Sequence, residues 1–323
     1  APRPAGRPPR AVPPPVMGEG GVTLSPSALH RGPSQRPVDL ITGLLMVAPL
    51  LVVIVGVMGA PLLQAVSLSL TDKRIGLPGT FVGWGNYGRL VHDPLFWLAV
   101  RNSFLYAFGA VALKLLAGFG LALVLNEELP WRGLWRAIIL IPWAVPELVA
   151  ALTWRWMYSD TNGIINALLL RAGLIEFPVP WLGSPQTALA AVVLINVWKG
   201  VPFFTFSLLG GLQVIDAELY EAAAIDGAGW ASQVRHIVLP ALSPVMVIAS
   251  LLSTIWTFND FTTIFVTTGG GPAYATTTVP ILTYEKAFWN LELGYAVATS
   301  LAAAPVFIGL IVLATRLFAG RER

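Results

Sequence analysis

About six stretches of this chain are apolar for long enough to cross a lipid bilayer, and no other feature restricts its fold so sharply. They cover residues 40–64, 99–125, 134–158, 187–212, 244–267 and 293–318. A helix needs roughly 20 apolar residues to traverse the hydrocarbon, and each run supplies them. Within lipid, backbone N–H and C=O groups find partners only inside a helix or around a closed barrel. The alternating pattern of a barrel strand is absent, so an all-α, polytopic transmembrane bundle of about six spans is expected. Of 323 residues, 55% are apolar and 11% charged, with a mean hydropathy of +0.71. That leaves too little charge to coat a water-solvated globule.

Several function classes fall away. The net charge of +3 comes from basic residues spread between apolar runs, with no interleaved basic and aromatic surface for nucleic acid. The chain has no cysteine, which removes disulfides, thiol catalysis and thiolate metal sites. His92 and His236 lack metal-like neighbours and His30 lies near the N-terminus, so neither a metal nor a cofactor is expected on this chain.

Residues 1–37 are rich in Pro, Gly, Ser and Arg and are expected to form a disordered cytoplasmic tail. Residues 38–323 form the membrane domain. The first apolar run is too long and too far along the chain for a signal-peptide core, so it is expected to remain as a membrane helix. With the N-terminus inside, Arg3, Arg7, Arg10, Arg31, Arg36, Arg132, Arg136, Arg235, Arg316, Arg321 and Arg323 fall on the inner side. Lys73, Arg74, Arg89, Arg101, Arg155, Arg171 and Lys286 fall outside. The excess favours both termini in the cytoplasm. The outer segments 71–98, 159–186 and 268–292 are expected to be loops and short surface helices.

Residues 216–240, between the fourth and fifth runs, spell two short helices about a glycine turn. Asp216 suits an N-cap, Glu218 the positive end of the first helix, and Glu221 to Ile225 are mostly strong helix formers. Gly227 and Gly229 are expected to end that helix through backbone angles other residues avoid. A second helix follows over 230–238, and Pro240 is expected to stop it before the fifth span. On pattern alone, this is an amphipathic connector lying on the membrane.

Charged groups at bilayer mid-depth each cost about 2.5–3.5 kcal/mol, so those present should face protein or a watery path. Glu147, Lys199 and Asp260 sit near the middle of the third, fourth and fifth runs. Trp143, Glu147 and Trp154 follow helical spacing, as do Asn196, Lys199, Gly200 and Phe203, and again Ser253, Trp256, Thr257 and Asp260. Three spans thus offer polar and aromatic stripes at similar depth. Fixed donors and acceptors beside aromatic planes suit a sugar, whose hydroxyls need partners while its C–H face packs on a ring. In a second reading, Lys199 pairs with Asp260 or Glu147 simply to hold helices together. Lys114, mid-span in the second run, is expected only to bond a neighbouring helix. Pro142, Pro146 and Pro202 interrupt the backbone ladder nearby.

The pattern Glu221-Ala222-Ala223, Asp226-Gly227-Ala228, Ile237 and Leu239-Pro240 resembles the EAA loop of binding-protein-dependent ABC importer permeases. Val234 stands where that family usually has an aromatic residue. Ile141 to Pro146, Trp256 to Phe261 and Thr268 to Pro272 are also family-like, closest to the carbohydrate-uptake branch with the maltose permeases. The resemblance spans all six runs and implies that the loop docks on an ATPase, with Glu221, Ala222, Ala223, Asp226, Gly227 and Ala228 at the contact. It implies a sugar-lining set of Trp143, Glu147, Asn196, Lys199, Gly200, Phe203, Trp256, Thr257 and Asp260. It further implies a second permease chain as heterodimer partner, two ATPase chains carrying ATP and Mg, an extracytoplasmic solute-binding protein, and a multi-pass location in a prokaryotic cytoplasmic membrane. Gly269 to Gly271 lacks the Gly-Lys-Ser/Thr ending of a phosphate loop, so this chain is expected to catalyse nothing itself. The alternatives are a permease for a polyol or glycerol phosphate, and an ion-coupled carrier using Glu147 or Asp260 as a proton relay.

Overall fold

The computed structural model describes residues 37–319. The expected tail, apart from Pro37, lies outside the described residues. The chain divides into two compact units at Ala60. In the first, α1 (Pro37–Val53) continues through a π-helical stretch, Ile54–Gly59, in which no residue is buried. An apolar helix with so little burial suits contact with lipid acyl chains.

The second unit opens within α2 (Ala60–Ser69) and continues through α3 (Gly85–His92) and α4 (Pro94–Asn126). Then come α5 (Arg132–Ala144), α6 (Glu147–Met157), α7 (Ile164–Arg171) and α8 (Ala188–Leu212). After α9 (Ala217–Ile225), α10 (Trp230–Gln233) and α11 (Leu239–Phe258), the chain ends in α12 (Thr262–Thr267), α13 (Val279–Tyr284), α14 (Leu293–Leu301) and α15 (Ala304–Ala319). Among the described residues there is no strand, only one antiparallel bridge between Thr71 and Phe81. Four described helices are long and apolar enough to span a bilayer: Leu45–Ser69, Pro94–Asn126, Ala188–Leu212 and Trp230–Phe258. Counted as one span, α5 and α6 make a fifth, and Leu293–Gly309 is a shorter apolar helix.

Three of the expected continuous runs are interrupted. The third bends by 93° between α5 and α6 because Pro146 bars its predecessor from helical geometry, and Val145 is extended at φ −67°, ψ 130°. Trp143, Glu147 and Trp154 therefore do not share one helical face. Trp154 instead packs at 5.7 Å on Trp198, away from the other two. The fifth run breaks at residues 259–261, where Asp260 Oδ1 accepts the backbone N–H of Thr263 at 3.1 Å. The sixth turns at Ala302 and Ala303.

Pro240 does not end a helix. Trp230–Phe258 is continuous, because a π turn at Val234–Val238 precedes the proline. There the Leu239 N–H reaches back to Val234 O, widening the coil so that the pyrrolidine ring avoids the carbonyl it would otherwise strike.

The core is the packing of α4 on α8 and α11. Along α4, Ala99, Ser103, Ala107, Ala110, Gly118 and Ala122 are buried at steps of three, four or eight residues. Small residues let helix backbones approach closely where no hydrophobic effect drives association. At Gly118 a methyl group would overlap Phe204 on α8, so Gly118→Val is expected to cost about 1–3 kcal/mol of stability. Unfolding in mixed detergent micelles would register this as a lowered midpoint.

Residues 268–279, expected at the surface, are instead strapped onto α4. Asn102 Nδ2 donates to Tyr274 O and Thr277 O, each at 3.0 Å, and Ser103 Oγ accepts the Val279 N–H at 2.9 Å. Thr276, Thr277 and Thr278 are buried as a result. The turn itself uses positive φ at Gly269 and Gly270. Nearby, Asp93 caps α4 and takes the Tyr295 hydroxyl at 2.8 Å. Its partial burial works against ionisation, but the Tyr295 and Leu95 hydrogen bonds and the Lys286 ammonium outweigh it and hold the carboxyl below its usual range.

Candidate functional site

The segments that follow the two proline- and aspartate-marked breaks meet where Thr263 touches Glu147, and beside them and α8 lies a cavity of about 310 Å³. Irregular backbone at membrane depth is tolerated where it lines such a space. The cavity is lined by Trp143 from α5, Glu147 from α6, Asn196, Lys199, Gly200 and Phe203 from α8, and Trp256, Thr257 and Asp260 from α11 and its end. The nine positions implied by resemblance thus converge on a single space. Lys114, Ser253, Asn259, Phe261, Thr262 and Thr263 complete the wall.

Asp260, 8% exposed, is the most heavily bonded group. Its Oδ2 accepts Tyr106 Oη at 2.6 Å and Asn196 Nδ2 at 2.8 Å, while Oδ1 takes the Thr263 N–H. A carboxylate removed from water needs such donors. Glu147, by contrast, meets the Thr263 hydroxyl at 3.5 Å and the neighbouring Asp260 carboxyl, and keeps acceptor capacity for a solute. Trp143 and Trp256 stand 60% and 56% exposed, and Phe203 meets Trp256 edge-on at 5.1 Å. Open aromatic faces beside committed polar groups can hold a ring by its C–H surface and its hydroxyls at once.

Lys199 does not pair with Asp260 or Glu147. Its Nζ donates to Val145 O at 2.6 Å, a carbonyl freed by the Pro146 break, where the negative end of α5 favours a cation. The ion pairs among the described residues, Arg74–Glu292, Arg89–Glu292 and Lys286–Asp93, lie outside the cavity. Lys114 does bond a neighbouring helix as expected, through Ser253 and Thr257 of α11, but it also lines the cavity, which the sequence reading did not foresee. One signal was available: Lys114 is the only charge on the small-residue stripe of α4. No group of three or more His, Cys, Asp or Glu that could hold a metal occurs among the described residues.

In the 216–240 loop, α9 closes with Ala228 N donating to Ala223 O at 2.8 Å and Gly227 N to Ala224 O at 3.0 Å. Gly227 supplies φ +79°, the left-handed residue of a Schellman ending. Gly229 does not share that duty, since at φ −71° it is the N-cap of α10. Asp216 occupies the N-cap of α9 without a side-chain bond. Glu221, Ala222, Asp226 and Gly227 are exposed, and Ala223 and Ala228 partly so. Leu219, Ile225 and Trp230 also project outward, while Tyr220 packs on a cluster drawn from α4, α8 and the α11 helix, including Leu125, Leu212 and Leu242.

Apolar, span-length helices broken around a polar cavity are the architecture of a membrane transport protein. The family described as the binding-protein-dependent transport system inner membrane component matches residues 114–321, and the chain belongs to that family. The chain is 42% identical over 250 residues to the trehalose/maltose transport system permease protein MalF of Thermococcus litoralis, covering 77% of this chain and 83% of that one. It is 36% identical over 267 residues to the sulfoquinovosyl glycerol transport system permease protein SmoG of Agrobacterium fabrum, covering 80% and 84%. In fold it matches a bacterial ABC transporter importing the acidic polysaccharide alginate, with a TM-score of 0.73 at 19% identity over 87% of this chain and 96% of that one. The same transporter bound to a periplasmic protein carrying an alginate pentasaccharide matches equally, over 87% and 94%.

Proposed function

We propose that this chain is the permease subunit of an ATP-driven importer that moves a mono- or oligosaccharide inward by alternating access through the cavity between α5, α6, α8 and α11. The observation that carries the reading is the convergence of the nine residues, with two open tryptophan faces beside an available carboxylate. Relatives whose names include trehalose, maltose and sulfoquinovosyl glycerol support the sugar class. The chain crosses a prokaryotic cytoplasmic membrane six times with both termini inside, and the cavity's open side faces a second permease chain.

Two ATPase chains, holding ATP and Mg, dock on α9 through Glu221, Ala222, Ala223, Asp226, Gly227 and Ala228. Exposed Leu219 and Ile225 give that contact apolar area, and Tyr220 ties α9 to the ends of α4, α8 and α11. An extracytoplasmic binding protein delivers the solute.

A neutral sugar is favoured over a phosphorylated polyol. Both cavity ammonium groups are already engaged, Lys199 by Val145 O and Lys114 by two hydroxyls, and the Asp260 carboxylate opposes an anion. Competition for uptake in whole cells should therefore favour neutral sugars over glycerol phosphates, and uptake insensitive to any sugar would reverse the assignment. An ion-coupled carrier would instead take up solute without an ATPase partner.

A further inference from the structure

Lys114 stands at one end of a hydrogen-bond chain whose direction follows from the chemistry of its two ends. Its Nζ, 4% exposed with the rest of the residue, donates to Thr257 Oγ1 at 2.9 Å and to Ser253 Oγ at 3.3 Å. An ammonium only donates, so both hydroxyl oxygens accept from it. The Thr257 hydrogen then goes to Asn196 Oδ1 at 3.4 Å. With its oxygen turned to Thr257, Asn196 presents its amide nitrogen to Asp260 Oδ2 at 2.8 Å. The carboxylate only accepts, which ends the chain.

A flipped Asn196 would set two oxygens against each other at Asp260 and take from the Thr257 hydrogen its acceptor. The donor-only cation and the acceptor-only anion thus leave one arrangement. Lys114 reaches this place by lying over Gly200, where a methyl would sit 2.7 Å from its Cδ and Cε. Gly200 on α8 and Lys114 on α4 are therefore matched in size.

We propose that Lys114 is a positioning residue that sets solute specificity by holding the Thr257 hydroxyl in one orientation toward Asn196, whose own orientation Asp260 fixes, a role that rests on this cavity being the sugar path. With its N–H groups turned to Asp260 and Tyr106, Asn196 is left with one lone pair for a solute hydroxyl, and its placement distinguishes one hydroxyl pattern from another. Were the lysine absent, Thr257 could rotate away from Asn196 Oδ1, although Asp260 would still hold the amide as it stands. The wall would then accept sugars it ordinarily disfavours.

The test uses the complete importer in proteoliposomes, with saturating binding protein loaded in turn with maltose, trehalose and sucrose. The readout is the ratio of uptake rates between the two best-transported sugars. Lys114→Met keeps the stem and deletes the donor, while Gly200→Ala pushes the stem aside and keeps the ammonium. Each is expected to change the ratio by about fivefold, the equivalent of one neutral hydrogen bond. Thr257→Val should do the same and Thr257→Ser should restore the parental ratio. A uniform fall in all rates with the ratio intact, in Gly200→Ala and Thr257→Val as well as Lys114→Met, would mean Lys114 only holds helices together and would overturn the proposal. If the unaltered importer carries no sugar at all, the sugar reading itself fails and takes this role with it.

Discussion

Uptake is expected to fall to background when Glu221→Lys is combined with Gly227→Pro, while the chain still inserts in the membrane. Gly227 holds φ +79° and donates its N–H to Ala224 O. Proline is locked near φ −65° and has no N–H, so the ending of α9 cannot form. Glu221 stands exposed one helical turn before that ending, and reversing its charge replaces attraction by repulsion at any basic partner surface. Neither residue is in the core, so the membrane spans should assemble as before. Gly227→Ala is the graded version: a side chain in the left-handed region costs about 1–2 kcal/mol, which should slow uptake without stopping it. Solute-stimulated ATP hydrolysis and the amount of chain in the membrane should be followed together. Normal uptake by the double variant would remove α9 from the coupling path.

The all-α fold was readable because hydrocarbon leaves a chain few choices, and the apolar runs mark where helices form. What escaped the sequence were the breaks. Pro146 was visible as a helix interrupter, but nothing local fixes the bend at 93°; the packing of α6 against α12 and α8 does. Asp260 read as one more residue on a helical stripe, yet its carboxylate captures the Thr263 N–H and helps to end the helix instead. Helical spacing nevertheless grouped the α8 and α11 residues correctly, since the break comes at the last of them. It failed for Trp154, which lies beyond the α5–α6 bend. Pro240 misled in the opposite sense, because a π turn can be recognised only once the backbone is laid out. The reading that paired Lys199 with Asp260 or Glu147 weighed charge alone, and a freed backbone carbonyl is its partner instead.

Asp260→Ala is expected to weaken apparent solute affinity by roughly 10- to 150-fold, the range for losing a hydrogen bond to a charged group worth about 1.5–3 kcal/mol. Three donors now converge on this carboxylate, and all would lose their acceptor in a space shielded from water. Tyr106 and Asn196 would then turn to one another or toward the solute, spoiling the geometry of the wall. Some of the loss would be structural, because an orphaned buried donor itself costs about 1–3 kcal/mol. Trp256→Ala separates the two contributions. At 56% exposure this side chain supports little of the fold, and its ring meets only Phe203 closely among the aromatic groups. Removing it should spare the assembled bundle and yet reduce affinity by about tenfold or more, since a buried aromatic contact is worth about 1.5–3 kcal/mol. Both variants should impair transport more than solute-independent ATP hydrolysis, which the proposed function assigns to other chains. Uptake titrations with unchanged half-saturation in Trp256→Ala would show that the solute passes elsewhere, whatever Asp260→Ala does.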